Sequence, residues 1–251
     1  QAGALLESTN RAEREEVYQT MVQRRLTIKS ELNDLYTSLI EKRHQVALNA
    51  GFENYRDYAF ASLGRFDYGP AECFEFHEAV AETVVPLLNE AAAKRKQEMQ
   101  LDALKPRDKA VDPLGRGPLK PFETGEELLN KTIGVFDEMD PFLGNCLKEM
   151  VSLDRFDLDS RKGKNPGGYN YPLEETGYPF IFMNAAGTVR DVVTLLHEGG
   201  HAVHSILTKD LALNSFRNFP SEVAELASMS MELMTMDLWN HYFTNPEEAK
   251  R

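Results

Sequence analysis

The chain has 251 residues, 42% hydrophobic and 27% charged, enough for one large domain or two small ones with a sizeable core. A formal net charge of -12 and a pI near 5.0 argue against a nucleic-acid role, because phosphate binding needs a basic face that this composition does not offer. Two cysteines, Cys73 and Cys146, lie far apart outside any CxxC spacing, so neither a disulfide framework nor a cysteine metal site is expected.

The first residues, QAGALLESTNRAEREE, lack the basic and apolar stretches of a signal peptide. No apolar run reaches the roughly 18 residues of a membrane span, so the expectation is a soluble, cytoplasmic protein without a membrane partner. The chain starts without Met and stops at EEAKR after a helical pattern, which reads as a piece of something larger.

From about 11 to 48, Val17, Met21, Ile28, Leu32, Leu35, Leu39 and Val46 fall at helical spacing and predict one amphipathic helix. A second helix is expected from Pro70 towards Lys96, with Pro86 kinking it or ending it early. Residues 101–124 hold four prolines and two glycines near 115 and read as a long surface loop. Thr124 with Glu127, and Asp140 before Pro141, signal helix starts for 125–139 and 141–151. The glycine- and proline-rich stretch 160–179 leads into Phe180, Ile181, Phe182 and Met183, the best strand candidate, which could pair with an extended peptide through its main chain. Thr188 and Asp191 form a capping box ahead of a helix to about Leu207, and a last helix begins near Ser221. The expected architecture is mainly α with a small β element beside the helix that ends near Leu207. Residues 1–159 are expected to form a helical scaffold and 160–251 the region that holds the chemistry, in one continuous domain truncated at both ends.

The motif that carries chemistry is His197-Glu198-Gly199-Gly200-His201. In a helix its two histidines stand one turn apart on one face and can share a cation. Glu198 projects about 100° from His197, away from the same metal but within reach of a water. Its flanks, Val192, Val193, Leu195, Leu196, Ala202, Val203, Ile206 and Leu207, make a largely buried helix in which a polar cluster needs partners. Gly199 and Gly200, each roughly 1 kcal/mol worse than alanine in a helix, call for a reason, of which close approach by another segment is one. A catalytic zinc takes three protein ligands and keeps a position for water, and Glu222 and Glu225 are both candidates for the third. A metzincin pattern would need glycine at 204 and histidine at 207, where the chain has His204 and Leu207.

The string LLHEGGHAVHSI followed by SEVAELASMSMEL resembles the thimet oligopeptidase and oligoendopeptidase F family of zinc peptidases, nearer the oligoendopeptidase F branch. The stretches RKGKNPGGYNYP and PFIFMNAAGTVRD resemble its substrate-cleft elements. The resemblance implies one zinc per chain, Glu225 as third ligand, Glu222 as a carboxylate orienting a ligand histidine, and Glu198 as general base in the hydrolysis of short peptides. His204, Gly168, Tyr169, Asn184 and Gly187 are further candidates for contacting substrate. The family also carries a C-terminal histidine and tyrosines that bind the substrate carbonyl, for which His241 and Tyr242 are poor substitutes. The alternative expectation is therefore a zinc-bearing, peptide-binding fragment with little or no turnover.

Overall fold

The computed structural model describes residues 2–251, which divide into two compact units, 2–118 and 119–251. The expected division at 159/160 falls inside the second unit.

The first unit is helical: α1 (Arg11–Leu26), α2 (Lys29–Asn49), α3 (Tyr55–Ser62), α4 (Pro70–Ala79) and α5 (Val85–Glu98). The helix expected over 11–48 breaks at Thr27 and Ile28, where the Thr27 hydroxyl turns back to donate to the Arg24 carbonyl at 2.7 Å. Pro86 does not end its helix. A π-helical turn, Val80–Val84, joins α4 to α5 just ahead of it. Such a turn absorbs the missing N–H and the ring's clash with the preceding turn. The loop expected at 101–124 is irregular over most of its length, but its single 3-10 turn buries Asp108. That carboxylate accepts from Arg11 Nε and Nη2 at 3.2 and 3.1 Å, Arg14 Nη2 at 3.1 Å and the Lys105 N–H at 3.1 Å, pinning the loop to α1.

The second unit opens with the hairpin α6 (Gly125–Met139) and α7 (Pro141–Ser152). Both starts are capped as the sequence indicates: Thr124 Oγ1 accepts from the Glu127 N–H and Asp140 Oδ1 from the Phe142 N–H. Three strands follow, β1 (Phe156–Asp159), β2 (Gly168–Tyr171) and β3 (Phe180–Ala185), in the order β1-β3-β2. β1 runs parallel to β3 and β2 antiparallel to it, with Tyr169 opposite Phe182. The expected strand is thus the central one, with both main-chain edges paired. The outer edges belong to β1 and β2, so the peptide pairing expected of 180–184 does not fit β3.

Along β3 the alternation puts Ile181, Met183 and Ala185 into the core and Phe180, Phe182 and Asn184 on the other face. Against the buried face packs α8 (Val189–Thr208), with Val192, Leu195, Leu196, Ala202, Val203 and Ile206 buried, whereas Leu207, expected among them, is 62% exposed in the last turn. Phe136 and Leu128 of α6 and Leu147 and Met150 of α7 complete the core. Each such side chain stabilises the fold by roughly 1.5–3 kcal/mol through apolar burial. The short α9 (Asn214–Arg217), α10 (Ser221–Met234) and α11 (Pro246–Ala249) finish the chain. The unit is mainly helical, with the small sheet lying beside α8.

Candidate metal centre

α8 begins where Asp191 accepts hydrogen bonds from the Ala186 and Thr188 main chain and the Thr188 hydroxyl at 2.8–2.9 Å. This cap fixes the helix register and hence the face on which His197 and His201 stand. Their rings lie 4.7 Å apart at 89°. Glu225, in the second turn of α10, meets both: its Oε2 is 3.4 Å from His197 Nε2 and its Oε1 3.8 Å from His201 Nε2. The three residues can offer one ligand atom each within 4.8 Å of one another, the one such cluster among the described residues. Two imidazole nitrogens and a carboxylate oxygen, converging from two helices, are the donor set that suits zinc.

The glycines explain how α10 comes so close. A Cβ on Gly200 would sit 2.8 Å from Ser228 Cα, and one on Gly199 would sit 2.8 Å from Phe136 Cζ. α8 therefore touches α10 on one side and the α6 ring on another only because both side chains are missing. The helix-propensity cost of the two glycines is offset by packing that alanine would block.

Glu198 is 6% exposed. Burial holds its carboxyl above the ordinary carboxylate range; the His197 ring and the main-chain N–H of Asn170 on β2 pull it back, and Glu225 adds to the rise. The His201 ring is pushed down, first by burial and then by His197, against an opposing pull from Glu225. Burial likewise lowers His204. A neutral His201 keeps a lone pair available to a cation.

The remaining candidates scatter. Glu222 is exposed in the first turn of α10, and the carboxylate that meets His197 Nδ1 is Glu232, at 2.7 Å. Glu232 and Glu225, seven residues apart, stand on one face of α10, and both therefore reach the His197 ring. His204 lies one turn beyond His201 and stacks on Phe219, ring centroids 3.8 Å apart. Gly168 packs tightly on α8, where a Cβ would lie 2.9 Å from Thr194 Cγ2. Tyr169 faces the other way, half exposed and stacked on Phe182 at 5.0 Å. The Asn184 amide donates to the Lys164 and Asn165 carbonyls, both at 3.2 Å, and so fastens the loop before β2. Gly187, at φ +88°, makes the turn into α8. His241 pairs with Glu138 and the Tyr242 hydroxyl is buried against Thr132, so both are engaged on α6. Sequence reasoning passed over Glu232 and Asn170. The first had a legible signal, a second acid two turns after Glu225; a lone asparagine between two tyrosines gave none.

Comparison with known proteins bears on the fold and the family. The model of Peptidase family M3 matches residues 4–251. The oligopeptidase PepF of Bacillus subtilis (strain 168) is 26% identical over 248 residues, covering 98% of this chain and 35% of that protein. The plasmid-encoded oligoendopeptidase F of Lactococcus lactis subsp. cremoris is 24% identical over 230 residues, covering 91% of this chain and 37% of its own. The structure of PZ peptidase A with an inhibitor superimposes with a TM-score of 0.93 at 27% identity, covering all of this chain and 44% of that one. The chain spans little more than a third of the length of these two curated relatives. No helix among the described residues is long and apolar enough to cross a membrane. A match over nearly its whole length shows that the chain belongs to peptidase family M3.

Proposed function

We propose that this chain carries the zinc site and general base of a metallopeptidase that hydrolyses short peptides. The observation supporting it is the convergence of His197, His201 and Glu225 beside the buried carboxylate of Glu198. The relatives named oligopeptidases and oligoendopeptidases point to the same substrate class.

In this reading His197, His201 and Glu225 would hold one zinc, which when bound would supply Lewis acidity towards the scissile carbonyl and acidify a water. Glu198 takes the proton of the attacking water and hands it to the leaving nitrogen. Its raised pKa suits both halves of that transfer, since the same carboxyl must accept and then release a proton. Gly168 lets β2 lie against α8, bringing the Asn170 N–H to Glu198. His204, Tyr169, Asn184 and Gly187 are proposed to line or shape the peptide's path.

A second reading, a zinc-bearing chain that binds peptides and turns them over slowly, is favoured by the engagement of His241 and Tyr242 on α6. Removing one preorganised donor to a developing oxyanion costs roughly 10²- to 10³-fold in rate. A mixture of short peptides incubated with the zinc-loaded chain and read by mass spectrometry separates the two. New fragments from the wild type but not from Glu198→Gln support hydrolysis; intact peptides that nonetheless co-elute with the chain support binding alone.

A further inference from the structure

His197 presents two nitrogens, and α10 meets them with two different carboxylates. Nε2 lies 3.4 Å from Glu225 Oε2, while Nδ1 lies 2.7 Å from Glu232 Oε1. Both carboxylates come from α10, on either side of Ser228, the residue whose Cα blocks any side chain at Gly200. The Gly200–Ser228 contact is the point where the helices touch, with Glu225 one turn before it and Glu232 one turn after. At 100° per residue the two acids differ by only about 20° around α10, so a single helix face addresses both edges of one imidazole. His197 and Glu232 side chains are 21% and 29% exposed, sheltered enough for the bond to hold the ring against solvent competition.

We propose that Glu232 is a positioning residue of the metal centre: it accepts the ring proton of His197 on Nδ1 and thereby presents the Nε2 lone pair to the cation. A neutral imidazole carries one ring proton, and a carboxylate can only accept, so a hydrogen bond at Nδ1 places the proton there and leaves Nε2 bare. The same bond fixes the ring's rotation about Cβ–Cγ. Without it, the other tautomer puts a hydrogen on Nε2, where it points at Glu225 and blocks a metal. Carboxylates in this relation to a ligand histidine typically change metal affinity by about 10- to 100-fold on removal. The role rests on the proposed zinc site, but the proton's location does not, because it exists in the metal-free protein.

The test uses the whole chain without metal, its histidine ring nitrogens read by long-range proton–nitrogen NMR. Wild-type His197 should show a pyrrole-type Nδ1 and a pyridine-type Nε2. Glu232→Ala should shift it towards the reverse tautomer, and Glu232→Gln less so because its amide oxygen still accepts. Zinc affinity by competition with a chromophoric chelator should fall about 10- to 100-fold in Glu232→Ala and less in Glu232→Gln, with unchanged helix content by circular dichroism. An unchanged His197 tautomer in folded Glu232→Ala would overturn the proposal. If the wild type shows the Nδ1 proton yet binds no zinc, the metal reading fails while the hold of Glu232 on the ring stands.

Discussion

Gly200 and Ser228 lie so close that a Cβ on the glycine would stand 2.8 Å from the serine Cα and 2.9 Å from Met231 Cγ. The near atom at Ser228 is main chain, which cannot swing aside. Gly200→Ala should therefore push α8 and α10 apart, lowering stability by roughly 1–3 kcal/mol despite alanine's better helix propensity. Because Glu225 rides on α10, zinc affinity should fall with it. Thermal melting and chelator competition on the same variant check both; a variant as stable and as tight-binding as the wild type would show that the helices have room to spare.

Glu198 and Glu225 should fail in different ways. Glu198→Gln keeps a side chain of the same shape that cannot take a proton, so zinc content should stay near the wild type while peptide cleavage falls at least about 10²-fold. Glu225→Ala removes a ligand and should weaken zinc itself. Metal analysis after dialysis distinguishes them. Loss of zinc from Glu198→Gln would mean that the two roles are misassigned.

The helix carrying the metal pair was legible because its signals agree: a capping box at Thr188, a long apolar face, and HExxH at the spacing of one turn. Gly199 and Gly200 were equally telling, since two poor helix residues in a buried helix mark close neighbours, which the structure identifies as Phe136 and Ser228. β1 and β2 escaped because four-residue strands carry too few positions for alternation to show, and β2 lies in a stretch dominated by glycine and proline. Without them the central place of β3 could not be read. Glu232 carried a signal, an acid two turns after Glu225, but only the structure shows which acid on α10 meets the histidine across the helix interface. The division at 118/119 was hidden for a related reason: α6 and α7 carry caps and apolar stripes like those of the first unit, and only packing assigns them to the core with α8.

Acid should act on the first unit through Asp108. Burial raises its pKa, but hydrogen bonds from Arg11, the Lys105 N–H and Arg14 outweigh that and hold it at about 2, below the ordinary carboxylate range. A carboxylate depressed in the folded state adds stability above its unfolded pKa and loses it as pH falls through the folded value, here between roughly pH 4 and 2. The contribution is about 2 kcal/mol at neutral pH. Asp108→Asn should lose that much at pH 7 and show a flatter fall between pH 4 and 2 than the wild type, by urea unfolding. Parallel pH profiles would place the acid sensitivity elsewhere.

The central claim is that His197, His201 and Glu225 together hold one zinc, and zinc content measured by mass spectrometry after exhaustive dialysis against zinc-free buffer tests it most directly. The wild type should retain about one zinc per chain. His201→Ala should retain far less, because two ligands on separate helices cannot match three converging donors. Zinc content unchanged in His201→Ala, or absent from a folded wild type, would contradict the account.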